Sequence, residues 1–338
     1  MSRRSVLGLM YRLQGVQEQG GDCAPVLSRY GLDLASLNPD AEIDRGLEIR
    51  VTTEVFETLL NPLAGLKVGE HFALAGYGPF AMLLMSCARV YEAVQVGMRY
   101  QQLTFLFGTL DFLPGDKASA LVLNLPPLPP RASRIMLDSE ISGTYKLLRD
   151  MQQAGKVRDM APSRVDIPYA RPADASVYET YFQCPVHFGS DAARIWLDNN
   201  VLGYPLATAD EVAHALYARQ CDRLLQQRER ADDVGIADRA LSYLALFHDG
   251  FPSVVDTACA LGVSERTLRR QLSREGQSFR QLLDQARMEK AKQWLLESVL
   301  PVELLARQLG YGEPASFIRA FRRWTGTTPA AFRRQQNH

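Results

Sequence analysis

Two groups of polar side chains near the carboxyl end carry the chemistry most easily read from this chain. Ser264, Arg266, Thr267, Arg269 and Arg270 face outward from one short helical stretch, and Ser316, Arg319, Arg322 and Arg323 from another. An arginine guanidinium is a planar fork of N–H donors that can bond a guanine edge twice, and a helix bearing such groups fits a DNA major groove. Arg270 and Arg319 fall at equivalent places in the two stretches. Both are therefore expected on base edges, and Arg322 and Arg323 on phosphates. The bland alternative is a solvated helix face, but such a face has no reason to recur with the same arginine in the same place.

The elements that must position these side chains repeat as well. In the first copy Ala258, Leu261 and Gly262 close a short apolar helix, Ser264 opens the next, and Leu268 and Leu272 supply its buried stripe. In the second, Ala306, Leu309 and Gly310 close the short helix, while Phe317 and Phe321 replace the two leucines. Gly276 and Gly326 end the respective units, at an offset of about fifty residues. A small residue lets two helices cross closely, and glycine relieves the sharp turn between them. Ser264 is expected to cap its helix, Glu265 complements the helix dipole, and Pro314 is tolerated in a first turn because that N–H has no partner. Between the copies, Ser278 to Ser298 is predicted as one helix with Leu283, Arg287, Ala291 and Leu295 in its buried register, so Arg287 is expected to be structural. A rigid spacer of this kind would set the two reading helices in successive major grooves, roughly 34 Å apart.

This ordered set resembles the DNA-binding domain of the AraC/XylS family of bacterial transcription regulators. The residues that carry the resemblance run from Ala258–Gly262 and Ser264 through Leu268, Arg270, Gly276, Ser278, Phe279, Arg287, Ala291 and Leu295-Leu296. They continue through Ala306, Leu309-Gly310-Tyr311, Ser316-Phe317, Arg319 to Arg323, Gly326, Pro329 and Arg333. Pro314 and Ala315 stand where the family often has polar residues. The resemblance implies double-stranded promoter DNA and RNA polymerase as partners, base contacts from Arg266, Arg269, Arg270 and Arg319, and activation as the usual output.

Charge divides along the chain in the same sense. The 338 residues hold 38 Lys and Arg and 38 Asp and Glu, yet residues 235–338 hold 15 against 10, leaving −5 for what precedes. A basic end on an acidic remainder points to a nucleic-acid partner for the basic part. Cys23, Cys87, Cys184, Cys221 and Cys259 are odd in number and scattered, and His71, His187, His214 and His248 have no ligand spacing, so neither disulfides nor a metal site is expected. Residues 6–10 are too short an apolar run for a signal peptide, and Phe72 to Met85 is broken by Gly76, Gly78 and Pro79. The expectation is a cytoplasmic protein with no membrane partner and no cofactor.

The rest of the chain is predicted to mix helices and strands. Helices are expected to Leu37, at Glu54–Leu60, Leu63–Leu74, Ala81–Ala88, Val90–Leu103, Ser133–Gln153 and around Ala175–Phe182. A hairpin is expected from Phe105–Phe112 and Ala120–Leu125, with strands at Arg164–Pro168, Val186–Phe188 and near Arg194–Leu197. The fold class is thus α+β: a mixed N-terminal sensor domain (1–205), a linker helix (206–234), and an all-α domain with two helix-turn-helix units joined by a long helix (235–338). Tyr77, Phe80, Tyr100, Phe105 and Phe107 are the candidate effector-binding residues, against core packing as the commoner role of each. On Glu211–Arg230, Val212, Leu216, Gln220 and Leu224 form one row beside Ala213, Tyr217, Cys221 and Leu225, a face that could dock on its own domain or pair with a second copy.

Tyr30-Gly31-Leu32-Asp33, Leu66–Gly69, Gly76–Phe80, Tyr91-Glu92-Ala93, Tyr181-Phe182 and Pro185–Gly189 resemble the arabinose-binding type of N-terminal domain. That module is found in AraC regulators that include ornithine-utilisation regulators. It implies a small-molecule or protein effector and a homodimer without naming the effector. No catalytic motif is present. The rival reading is a DNA-repair methyl acceptor, which needs a Pro-Cys-His-Arg setting, whereas Cys184 lies between Gln183 and Pro185.

Overall fold

The computed structural model describes residues 3–157, 160–231, 235–247, 251–297 and 300–336. Asp232, Asp233 and Val234 of the expected linker, His248, and Ser298 at the expected end of the spacer lie outside the described residues. The chain forms two compact units, one from Ser2–Cys23 with Ile49–Ala231, the other from Ala24–Glu48 with Asp232–His338. This differs from the expected division in two places. Ala24–Glu48 groups with the C-terminal helices, and the helix Glu211–Ala231, expected to be a linker, belongs to the larger unit.

The larger unit is built on a five-stranded sheet in the order Thr109–Leu113, Ala118–Asn124, Ala193–Asp198, Arg164–Ile167, Val186–Phe188. Only the last pair is parallel. Ala193, Ile195 and Leu197 alternate inward as a half-buried strand requires. The 25-residue helix Pro130–Ala154 crosses the short helix Ala64–Gly69 at very close range. A Cβ on Gly65 would lie 2.5 Å from the Ile135 carbonyl oxygen, and one on Gly69 2.3 Å from that of Ser139, so this crossing admits only glycine. The expected strand Phe105–Phe112 begins at Thr109 instead. Buried ionic groups take the backbone ahead of it: the Arg12 guanidinium donates to the Phe105 carbonyl and Glu140 accepts from the Phe107 N–H.

In the other unit, Ile236–Ala245 packs with two helix-turn-helix units, Val254–Ala260 with Glu265–Arg274 and Val302–Gln308 with Pro314–Thr325, joined by the spacer Phe279–Glu297 and followed by Pro329–Gln336. Each has its own small core, Ala258, Leu261, Leu268 and Leu272 in the first and Ala306, Leu309, Phe317 and Phe321 in the second. Phe251 packs against both. Glu275 accepts hydrogen bonds from the Ile236 and Ala237 N–H groups at 2.8 and 2.9 Å, so a carboxylate closes the positive end of Ile236–Ala245. The segment Ala24–Glu48 adds to the same helix: Arg239 pairs with buried Asp44 at 3.1 Å, the Tyr243 hydroxyl donates to the Tyr30 carbonyl, and the Asn38 N–H donates to the Leu246 carbonyl at 2.9 Å.

Candidate nucleic-acid interface and ligand cavity

The helix Glu265–Arg274 forms because Ser264 caps it, its hydroxyl accepting the Thr267 N–H at 3.2 Å, and because Leu268 and Leu272 are fully buried on one side. That leaves Ser264, Arg266, Arg269 and Arg270 exposed and Thr267 at the edge. Arg269 pairs with Glu265 one turn back at 2.8 Å. Among the described residues Arg266 and Arg270 make no ion pair, so this helix presents two unneutralised cations one turn apart. In Pro314–Thr325, Phe317 and Phe321 are fully buried, Arg319, Arg322 and Arg323 exposed and Ser316 partly so. Arg319 donates to the Ser316 hydroxyl at 3.0 Å, and Arg323 lies 3.7 Å from Asp284 of the spacer. Arg287 is structural: its guanidinium lies over Phe251 and Tyr311, 5.7 and 5.1 Å from the ring centroids.

Within the larger unit a cavity of about 80 Å³ lies between Pro130–Ala154 and the helices Pro79–Ser86 and Val90–Arg99. Tyr77, Phe80 and Phe105 line it; Tyr77 stacks on Phe105 with ring centroids 4.3 Å apart. Tyr100 and Phe107, expected with them, do not line it. The Tyr100 hydroxyl donates to Asp222 at 2.7 Å, and its pKa is pushed up to about 12 by burial and by that acceptor. Phe107 lies under Arg12, whose guanidinium is 5.1 Å from its ring centre. The charged group on the cavity wall is Glu140, fully buried, 3.4 Å from Arg12 and accepting the Phe107 N–H at 2.6 Å. Burial raises its pKa, and Arg12 and the two backbone N–H groups of Phe107 and Gly108 oppose the rise.

The model of the arabinose-binding domain of AraC transcription regulators matches residues 20–206, more than half of the chain. The chain belongs to the AraC/XylS family of transcription regulators. A helix-turn-helix family model matches residues 257–335 of this AraC-family protein, over both arginine-bearing helices. It is 31% identical to an HTH-type transcriptional regulator of Mycobacterium tuberculosis over 94% of this chain and 92% of that one. Identity to the regulator VqsM of Pseudomonas aeruginosa is 32%, over 80% of this chain and 83% of that one. With the ornithine utilization regulator of the same species it is 26%, over 80% and 78%. Among solved structures, the transcriptional regulator CdpR from Pseudomonas aeruginosa aligns over 84% of this chain and 90% of its own, at 28% identity and a TM-score of 0.47. The two family models and the relatives that match over most of its length make this protein a DNA-binding transcriptional regulator with an N-terminal ligand-binding domain.

Sequence reasoning about this regulator missed the polar part of its cavity. Glu140 recurs with Leu137, Thr144, Leu147 and Met151 at three- and four-residue intervals along one helix face. A carboxylate in an apolar stripe was the available signal. Cys184 is half-buried with its pKa raised to about 11 by burial, opposite to the lowered value of a reactive thiolate. No group of His, Cys, Asp and Glu that could hold a metal occurs among the described residues, and no described helix is long and apolar enough to cross a membrane.

Proposed function

We propose that this regulator is effector-responsive, binding promoter DNA through its two arginine-bearing helices and a small molecule in the cavity of its larger unit. Arg266, Arg270 and Arg319 read base edges, helped by Ser264, Thr267 and Ser316. Arg322 and Arg323 hold phosphates, and Arg269 joins the base-reading arginines by exchanging Glu265 for DNA. The observation that carries this reading is the pair Arg266 and Arg270, exposed one turn apart with no ion pair among the described residues, on a helix whose opposite side is buried. An exposed pair such as Glu265–Arg269 is worth about 0.3–0.5 kcal/mol, so its exchange costs little.

The output is activation through RNA polymerase, in the cytoplasm and without catalysis. Homodimerisation uses the outer row of Glu211–Ala231: Val212, Leu216 and Leu224 are exposed, while Cys221, Tyr217 and Leu225 pack on their own core. The effector acts by binding one arrangement of the protein better than another. The test is gel-shift titration of the full chain on its promoter and on random duplex. Arg266→Ala with Arg270→Ala is expected to abolish the preference for promoter, and retained preference would refute the assignment.

A further inference from the structure

The cavity of the larger unit has walls that choose among ligand chemistries. Its surface is aromatic and aliphatic, from Tyr77, Phe80, Phe105, Leu148 and Met151. The polar side chains Thr104, Thr144 and Glu140 also line it, each already engaged by the protein, which leaves the Tyr77 hydroxyl as the polar group of the wall open to a ligand. The Thr104 hydroxyl donates to the Gln101 carbonyl at 2.6 Å and accepts the Leu106 N–H at 3.2 Å. That of Thr144 donates to the Glu140 carbonyl at 2.8 Å, and the Glu140 carboxylate accepts from Arg12 and the Phe107 N–H. A sugar brings several hydroxyls, each needing a partner once out of water, and this wall has few left to offer. An organic anion would meet the Glu140 carboxylate rather than Arg12, whose guanidinium lies over the rings of Phe72 and Phe107. A cation would find that carboxylate already matched by Arg12 and apolar walls around it.

Size narrows the choice further. The enclosed space is about 80 Å³, roughly half of the ~150 Å³ that takes a benzene ring, and it is not fully closed, so it admits the end of a slender chain rather than a ring. We infer that the cavity takes a small, uncharged, largely apolar molecule with at most one hydrogen-bonding group, and not a sugar, an amino acid or an organic anion. This rests on the effector-sensing reading above and adds the chemical class.

The experiment titrates the full-length protein by calorimetry with 1-hexanol, hexanoate, hexylamine and L-arabinose, and repeats each titration on two variants. Gly97 lines the cavity and a Cβ built there meets no atom within 4 Å, so Gly97→Leu has room to occupy part of the space. Saturable binding of 1-hexanol alone is expected, weakened roughly tenfold or more by Gly97→Leu, in keeping with the loss of apolar contact in a pocket. Should that variant not fold, Leu148→Ala enlarges the space and is expected to shift preference from 1-hexanol to 1-octanol. Saturable binding of hexanoate, hexylamine or L-arabinose, no binding of 1-hexanol, or 1-hexanol binding indifferent to both variants overturns the inference. Promoter affinity measured with and without 1-hexanol separates the two readings. Binding that leaves promoter affinity unchanged upholds the ligand class and counts against effector control.

Discussion

Arg269 and Arg270 are neighbours in sequence, yet only Arg269 has its charge matched within its own helix. Arg270→Ala should therefore cost about 1–3 kcal/mol at one base pair and relax specificity there, whereas Arg322→Ala should weaken binding to all sequences alike and lower the salt slope by about one. Gel-shift titrations over a salt series on single-base promoter variants check both. A different residue governs stability against pH. Asp138 is buried and accepts from the hydroxyls of Tyr169 and Tyr178, and burial pushes its pKa from 3.8 up to about 7 against those hydrogen bonds. The unfolded carboxyl loses its proton first, so stability falls between about pH 4 and pH 7 as the folded one is forced to ionise, and the penalty is complete above that. Asp138→Asn should flatten that fall in urea unfolding at pH 5 and pH 8; an unaltered pH dependence would refute it. The arginines were legible in the sequence because exposed side chains on a helix follow from its period alone. Glu140 and Arg12 were not, since they meet across 128 residues.

The caps and turns of the C-terminal helices could be read in advance because their physics spans only a few residues. Ser264→Ala removes the acceptor for the Thr267 N–H and should cost about 1 kcal/mol of stability in urea unfolding. Gly310 ends its helix at φ +79°, and an added Cβ would lie 3.1 Å from the Arg287 guanidinium. Gly310→Ala should therefore cost about 1–2 kcal/mol from backbone strain alone and loosen Arg287 from Tyr311. Calorimetric melting tests this, and an unchanged melting temperature would contradict it. The expected strand at Phe105 failed for the opposite reason. Its aromatic residues have strand character, but the Phe105 carbonyl and Phe107 N–H were claimed by side chains from distant helices.

For the molecule as a whole, sequence periodicity located the two helix-turn-helix units but not the grouping of Ala24–Glu48 with them. No local pattern announces that Asp44 will meet Arg239, 195 residues on, or that Tyr30 will accept from Tyr243. A fragment of residues 235–338 leaves Arg239 and Tyr243 without these partners. It should still bind promoter DNA at low salt, but the amides of Ile236–Ala245 should exchange with solvent faster than in the full chain, and equal protection would show that Ala24–Glu48 adds no stability. The central claim is that two arginine-bearing helices, held by one spacer, occupy consecutive major grooves. Hydroxyl-radical footprinting of the full chain on its promoter tests it most directly. Two protected patches on one face of the duplex, about one helical turn apart, are expected; a single patch, or none, would show that the two helices do not share the duplex in this way.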